Sequence, residues 1–167
     1  MGNSAEATTL PAGVQRGAAA LQVQGHAHLP QMLDGVCRTA QQAADALGIA
    51  VGQVAKSIIF RRLSDGAAVL VVTSGDRRVD EAKVAALVGS PLGRADAAFV
   101  KERTGFSIGG VAPVAHAHPS VTLIDRELHR FGVVWAAAGH PHAVFALHPD
   151  DLQTLTGAPV VDVVVGS

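Results

Sequence analysis

Two neighbouring stretches, 54–62 and 67–73, constrain the fold of this chain more than any others. Each is an apolar run of strand length. Ser64-Asp65-Gly66 between them is turn chemistry, so together they predict a β-hairpin. The second run is apolar at nearly every position. A strand with one wet face alternates, whereas a continuous apolar strand is covered on both faces. The chain must therefore place further layers on either side of a sheet.

The remaining segments supply those layers. Val14, Ala18 and Leu21 recur at helical spacing and predict a helix over 14–24, ended by Gly25. Thr39 followed by Gln42 is a capping box for a helix over 40–47, closed by Gly48. Asp80 caps a helix over 81–88, and Asp96 caps another over 97–103. A helical turn is expected over 125–131. Pro149 with Asp150 and Asp151 opens a last helix that Gly157 ends. Further strands are expected at 26–29, 121–124, 133–138, 144–148 and 160–165. Strands joined both by hairpins and across helices give an α+β class, with a mixed sheet and helices packed outside it. Residues 1–13 read as a disordered tail, and 14–167 as one domain.

Composition narrows the function. Apolar residues make up 49% and charged residues 16%, the balance of a globular chain. A formal net charge of −1 lacks the basic excess used to hold long nucleic acid, so any such contact is local. No apolar run approaches the ~20 residues that span a bilayer, and the N-terminus lacks the order of a secretory signal. The single cysteine, Cys37, fits a reducing compartment. The expectation is a cytoplasmic protein with no membrane association.

Two features hold potential chemistry. Thr104-Gly105-Phe106-Ser107-Ile108-Gly109-Gly110-Val111-Ala112-Pro113 packs three glycines into six residues before a proline. Such a loop is either a tight turn or a cradle exposing N–H groups to a ligand. Lys56 is one of only three lysines and sits inside the apolar run Val54-Ala55-Lys56-Ser57-Ile58-Ile59-Phe60. It either faces solvent on an edge strand, where lysine deters aggregation, or meets a ligand. Three His-x-His pairs (His26/His28, His116/His118, His140/His142) could ligate metal, but no carboxylate or thiol lies close enough in sequence to complete a compact set. Gly-x-Ser-x-Gly and phosphate-loop patterns are missing. Arg61, Arg62, Arg77 and Arg78 are either a local phosphate patch or solvated strand and turn ends.

Ala55-Lys56-Ser57-Ile58-Ile59-Phe60, Thr73-Ser74-Gly75-Asp76, the 104–113 loop, Ala138-Gly139-His140, and Leu152 with Thr156-Gly157-Ala158 follow one another in one order. This order and spacing resemble the YbaK/prolyl-tRNA-synthetase-associated domain family over roughly residues 14–165. The resemblance implies a mixed, largely antiparallel, partly barrel-like sheet with helices outside. It implies a trans-acting deacylase that cleaves the ester of mischarged tRNA, often tRNA-Pro carrying alanine or cysteine, with no metal or other cofactor. Its partners would be the acceptor end of tRNA and, with it, prolyl-tRNA synthetase; monomer and homodimer both stay open. Lys56 would project into a cleft walled by the 105–113 loop and the 138–140 strand end.

On this reading Gly109 and Gly110 supply N–H donors to the oxyanion, Lys56 holds either the terminal phosphate or ribose oxygens or the developing charge, and His140 is the candidate if a protein group assists. Ser57, Thr104, Gly105, Phe106, Pro113, Ala138 and Gly139 are the expected substrate-binding positions. The substrate's own ribose hydroxyl would orient the attacking water. Two departures stand out. Family members often continue the loop as Pro-x-Gly, where this chain has Pro113-Val114-Ala115. Ala136-Ala137-Ala138 carries no hydroxyl for a polar acyl side chain, which suits a small apolar one. A non-catalytic tRNA- or synthetase-binding module and a histidine-based metal-dependent hydrolase are the competing classes.

Overall fold

The computed structural model describes residues 10–35 and 37–166. Five helices (α1 Ala12–Val23, α2 Ala40–Leu47, α3 Glu81–Val88, α4 Ala97–Thr104, α5 Pro149–Thr156) accompany eight strands. The strands are β1 (Gln31–Met32), β2 (Val54–Arg62), β3 (Ala68–Ser74), β4 (Leu92–Arg94), β5 (Val121–Asp125), β6 (Val134–Ala137), β7 (Ala143–Leu147) and β8 (Val160–Val161). They form one mixed sheet in the order β1-β7-β6-β2-β3-β5-β8, with β4 also on β2. The β1–β7, β6–β7, β2–β3 and β2–β4 pairs are antiparallel, and β2–β6, β3–β5 and β5–β8 are parallel. No pairing between described residues closes the path on itself.

The hairpin is as expected, and β3 is buried along its whole length. Alternation along β3 divides the interior. Leu70 and Val72 join a large core with Val14, Leu21, Phe145 and Leu152. Val69 and Val71 face the other way and pack on Val84, Leu123, Val163 and Val164. Burying apolar side chains stabilises by about 1.5–3 kcal/mol each, so both cores hold this strand in place.

The cap signals hold where they are local. The Thr39–Gln42 capping box is present, and Asp80 and Asp96 accept N–H bonds at the starts of α3 and α4. Other expectations are corrected. No strand forms over 26–29. Gly25 turns the chain at φ 72°, and the short strand forms beyond Pro30, at β1. The closing strand over 160–165 shortens to β8; beyond it Val164 bridges to Val79, and Lys83 takes up Asp162. β4 was not expected, because three residues behind Pro91 show no period.

The first helix starts at Ala12 rather than at residue 14. Gly13, the last residue of the expected tail, lies inside this helix. Here it lets α1 press on the backbone of Gly139: a Cβ on Gly13 would lie 2.3 Å from the Gly139 oxygen. Residues 1–9 of the expected tail lie outside the described residues.

Candidate functional site

β2 is where the sheet opens. On one edge it pairs with β3 throughout. On the other, β6 covers only Val54 and Ala55, and β4 covers only Phe60, Arg61 and Arg62. Between them Lys56, Ser57, Ile58 and Ile59 have no strand beside them on this edge among the described residues. A cleft of about 230 Å³ lies against this gap. Lys56 and Ser57 point to opposite faces of a strand, yet both line the cleft because the edge is uncovered. Gly109 and Val111 come from the glycine loop, Trp135 and Ala137 from β6, and Pro141 and Val144 from the β6–β7 turn and β7. Cys37, Arg38 and Thr39 complete the wall at the start of α2.

The electrostatics of the cleft are one-sided. Among the described residues, Lys56 and Arg38 are the only charged side chains lining the cleft, and no carboxylate or imidazole lines it. Lys83 donates to Asp162, and Lys101 donates to the Gly105 carbonyl at 3.1 Å. Lys56 has no hydrogen-bond or ion-pair partner among the described residues. An unpaired ammonium in a half-buried position is a standing cost unless an anion or dipole meets it. Ser57 adds to this: its Oγ is buried with no hydrogen-bond partner among the described residues.

The glycine loop is a built turn. Gly110 N–H donates to the Ser107 carbonyl at 3.0 Å, so that donor is already committed. Gly109, at φ 89°, is exposed, and its N–H has no acceptor among the described residues. Gly110 instead serves by its size: a Cβ there would lie 2.7 Å from the His140 carbonyl carbon. The loop is pinned from behind by His116, whose Nε2–H donates to the Ala112 carbonyl while Nδ1 accepts from Ser120 Oγ. Burial holds the His116 pKa below the usual 6.5.

The other expected site residues are placed elsewhere. Phe106 is 1% exposed, in the large core, with the Arg16 guanidinium stacked 4.1 Å over its ring. Thr104 is buried, and its Oγ1 accepts from Phe106 N–H and donates to the Val100 carbonyl. Gly105 ends α4 at φ 80°. These three anchor the loop's entry. Pro113 lines a separate depression with Ala115 and His116. Ala138 is buried, and Gly139 packs on Gly13. His140 does not line the cleft, and its Nδ1 accepts the His142 N–H at 3.1 Å.

Of the four arginines that could form a phosphate patch or solvated strand and turn ends, Arg62 forms a two-pronged bond with Asp65, Arg77 pairs with Asp76 and Glu127, and Arg61 lies over Phe99. The three histidine pairs stay apart, and no three His, Cys, Asp or Glu side chains converge as a metal site among the described residues. Thr73-Ser74-Gly75-Asp76 proves to be a structural knot. Thr73 Oγ1 and Ser74 N–H donate to buried Asp125, and Arg130 bonds Asp76, drawing that carboxyl below its usual range. Arg38 and Trp135 were missed in the sequence. Arg38 directly precedes a capping box whose Gln42 Oε1 receives its backbone N–H at 2.8 Å. Trp135 alternates with core residues Val134 and Ala136, which marks it as facing the other way.

Comparison with known proteins agrees with this architecture. Residues 34–155 match the family described as the aminoacyl-tRNA editing domain. The chain is 33% identical over 122 residues to the uncharacterized protein YwhH of Bacillus subtilis (strain 168), covering 73% of this chain and 77% of that one. It is 35% identical over 79 residues to the proline–tRNA ligase of Lactobacillus helveticus (strain DPC 4571), a match to 47% of this chain and 14% of that enzyme. Among solved structures, a proposed trans-editing enzyme for prolyl tRNA synthetase superposes with a TM-score of 0.89 at 40% identity, covering 95% of this chain and 100% of that one. The hypothetical protein APE2540 superposes with a TM-score of 0.82 at 30% identity, covering 89% and 99%.

Proposed function

Since the chain belongs to the aminoacyl-tRNA editing domain family, we propose that it is a trans-acting deacylase for mischarged tRNA, acting on tRNA-Pro that carries a small amino acid such as alanine or cysteine. The observation that carries this reading is the unpartnered Lys56 ammonium in the same cleft as Gly109. Water attacks the acyl carbonyl carbon and a tetrahedral oxyanion forms. Lys56 and the Gly109 N–H are the groups offered to that charge. Collapse breaks the bond to the ribose 3′-oxygen. That oxygen takes the proton released by the water, relayed through the neighbouring 2′-hydroxyl, and free amino acid and tRNA leave. A relay through the substrate suits a cleft whose lining holds no imidazole or carboxylate.

The acyl end has a small apolar wall of Ala137, Val111 and Pro141, which suits alanine. Charged tRNA is a cytoplasmic substrate, so the enzyme is assigned to that compartment. The test is incubation of the purified protein with a panel of mischarged tRNAs. Faster ester loss from tRNA-Pro carrying alanine or cysteine supports the proposal. Saturable tRNA binding with no ester loss would replace it with a binding module, and activity lost to a chelator would return it to a metal-dependent hydrolase.

A further inference from the structure

Trp135 is the only tryptophan in the chain, half-buried on β6 and open to the cleft. Its side chain lies on the face of the sheet away from the large core, since Val134 and Ala136 on either side are core residues. In register it stands beside Val54, which shares a face with Lys56 two residues on. One inter-strand step and two residues along β2 put the Trp135 and Lys56 backbones ~8 Å apart. Arg38, which lines the same cleft from the start of α2, is exposed and has no carboxylate partner among the described residues. Its backbone is held by the capping box, so its position is set by α2.

We propose that Trp135 and Arg38 form the receptor for the terminal nucleotide of the acceptor end, with Trp135 stacking on the terminal adenine and Arg38 meeting that nucleotide's phosphate. Lys56 is then left for the ester. Aromatic side chains are sequence-tolerant platforms for single-stranded bases, and a guanidinium suits phosphate by its planar, forked donors. The identity of the base rests on the deacylase reading; the stacking site does not.

A lone tryptophan makes the test direct. Adenosine 5′-monophosphate added to the wild-type protein is expected to quench tryptophan fluorescence saturably, and ribose 5-phosphate is not. Arg38→Ala is expected to weaken quenching by the nucleotide while leaving quenching by adenosine unchanged. Trp135→Leu is expected to raise KM for mischarged tRNA roughly tenfold, within the range of a lost base stack, with a smaller change in kcat. Trp135→Phe, which keeps a ring, recovers part of that loss. Absence of saturable quenching, or an unchanged KM in Trp135→Leu, overturns the inference while the deacylase reading stands. Saturable quenching by a protein that cleaves no tRNA ester leaves the inference standing and removes that reading.

Discussion

Gly110 and His140 meet backbone to backbone: a Cβ at Gly110 would lie 2.7 Å from the His140 carbonyl carbon and 2.8 Å from its Cα. This contact joins the glycine loop to the β6–β7 turn and sets where Gly109 faces the cleft. Gly110→Ala must push the two segments apart. It is expected to cost about 2 kcal/mol, as overpacking does, and to slow deacylation as Gly109 shifts. Urea unfolding and a rate assay check both effects; a variant as stable and active as wild type would contradict the packing described.

Ala115 holds φ 61°, and among the described residues it is the only non-glycine with positive φ. This is the position where the resembling family often has glycine. The left-handed region costs a non-glycine residue roughly 1–2 kcal/mol, offset in part by about 0.5–1 kcal/mol of extra unfolded-state freedom in glycine. Ala115→Gly is therefore expected to stabilise the protein by about 0.5–1 kcal/mol. A melting temperature that falls would contradict this.

Burial holds the His116 pKa below 6.5 and outweighs the hydrogen bond to the Ala112 carbonyl, which favours the charged ring. Between that lowered value and 6.5 the unfolded chain binds the proton more readily than the folded one. The contribution of His116 is therefore fully present above 6.5 and is lost as pH falls through this window. Stability measured by urea unfolding from pH 7.5 to 5 should decline, and His116→Gln should flatten the decline. An unchanged slope in the variant would show that other groups carry it.

Ser57 Oγ is buried without a hydrogen-bond partner among the described residues, an arrangement that costs about 1–3 kcal/mol. Ser57→Ala is expected to raise stability by about 1 kcal/mol and to slow deacylation several-fold. A destabilised variant would show that the hydroxyl is paired in the folded protein. An unchanged rate would remove Ser57 from the site.

Much of this was legible in the sequence where the signal is local. The hairpin of β2 and β3, the Thr39–Gln42 box and the Asp80 and Asp96 caps depend on residues within a few positions of each other. Lys56 and the glycine loop stood out because their composition conflicts with an ordinary strand or turn. The division of labour inside the loop was not legible. Nothing in Thr104–Pro113 says that Phe106 enters the core, that Gly110 spends its N–H on Ser107, or that Gly109 keeps its own free; tertiary packing decides each. Gly13 misled for the same reason, its lack of a side chain serving a contact with Gly139 that lies far off in sequence. Arg38 and Trp135 join Lys56 only through the gap between β6 and β4, a property of strand pairing across the whole sheet.

The central claim is that Lys56 serves ester hydrolysis rather than stability. The most direct measurement is the single-turnover rate of ester loss from tRNA-Pro carrying alanine, comparing wild type with Lys56→Met at matched fold by circular dichroism. The expected result is a drop of about 10²–10³-fold, the size of a lost oxyanion-stabilising group, with unfolding free energy unchanged or raised. A Lys56→Met protein that cleaves the ester as fast as wild type would contradict the account.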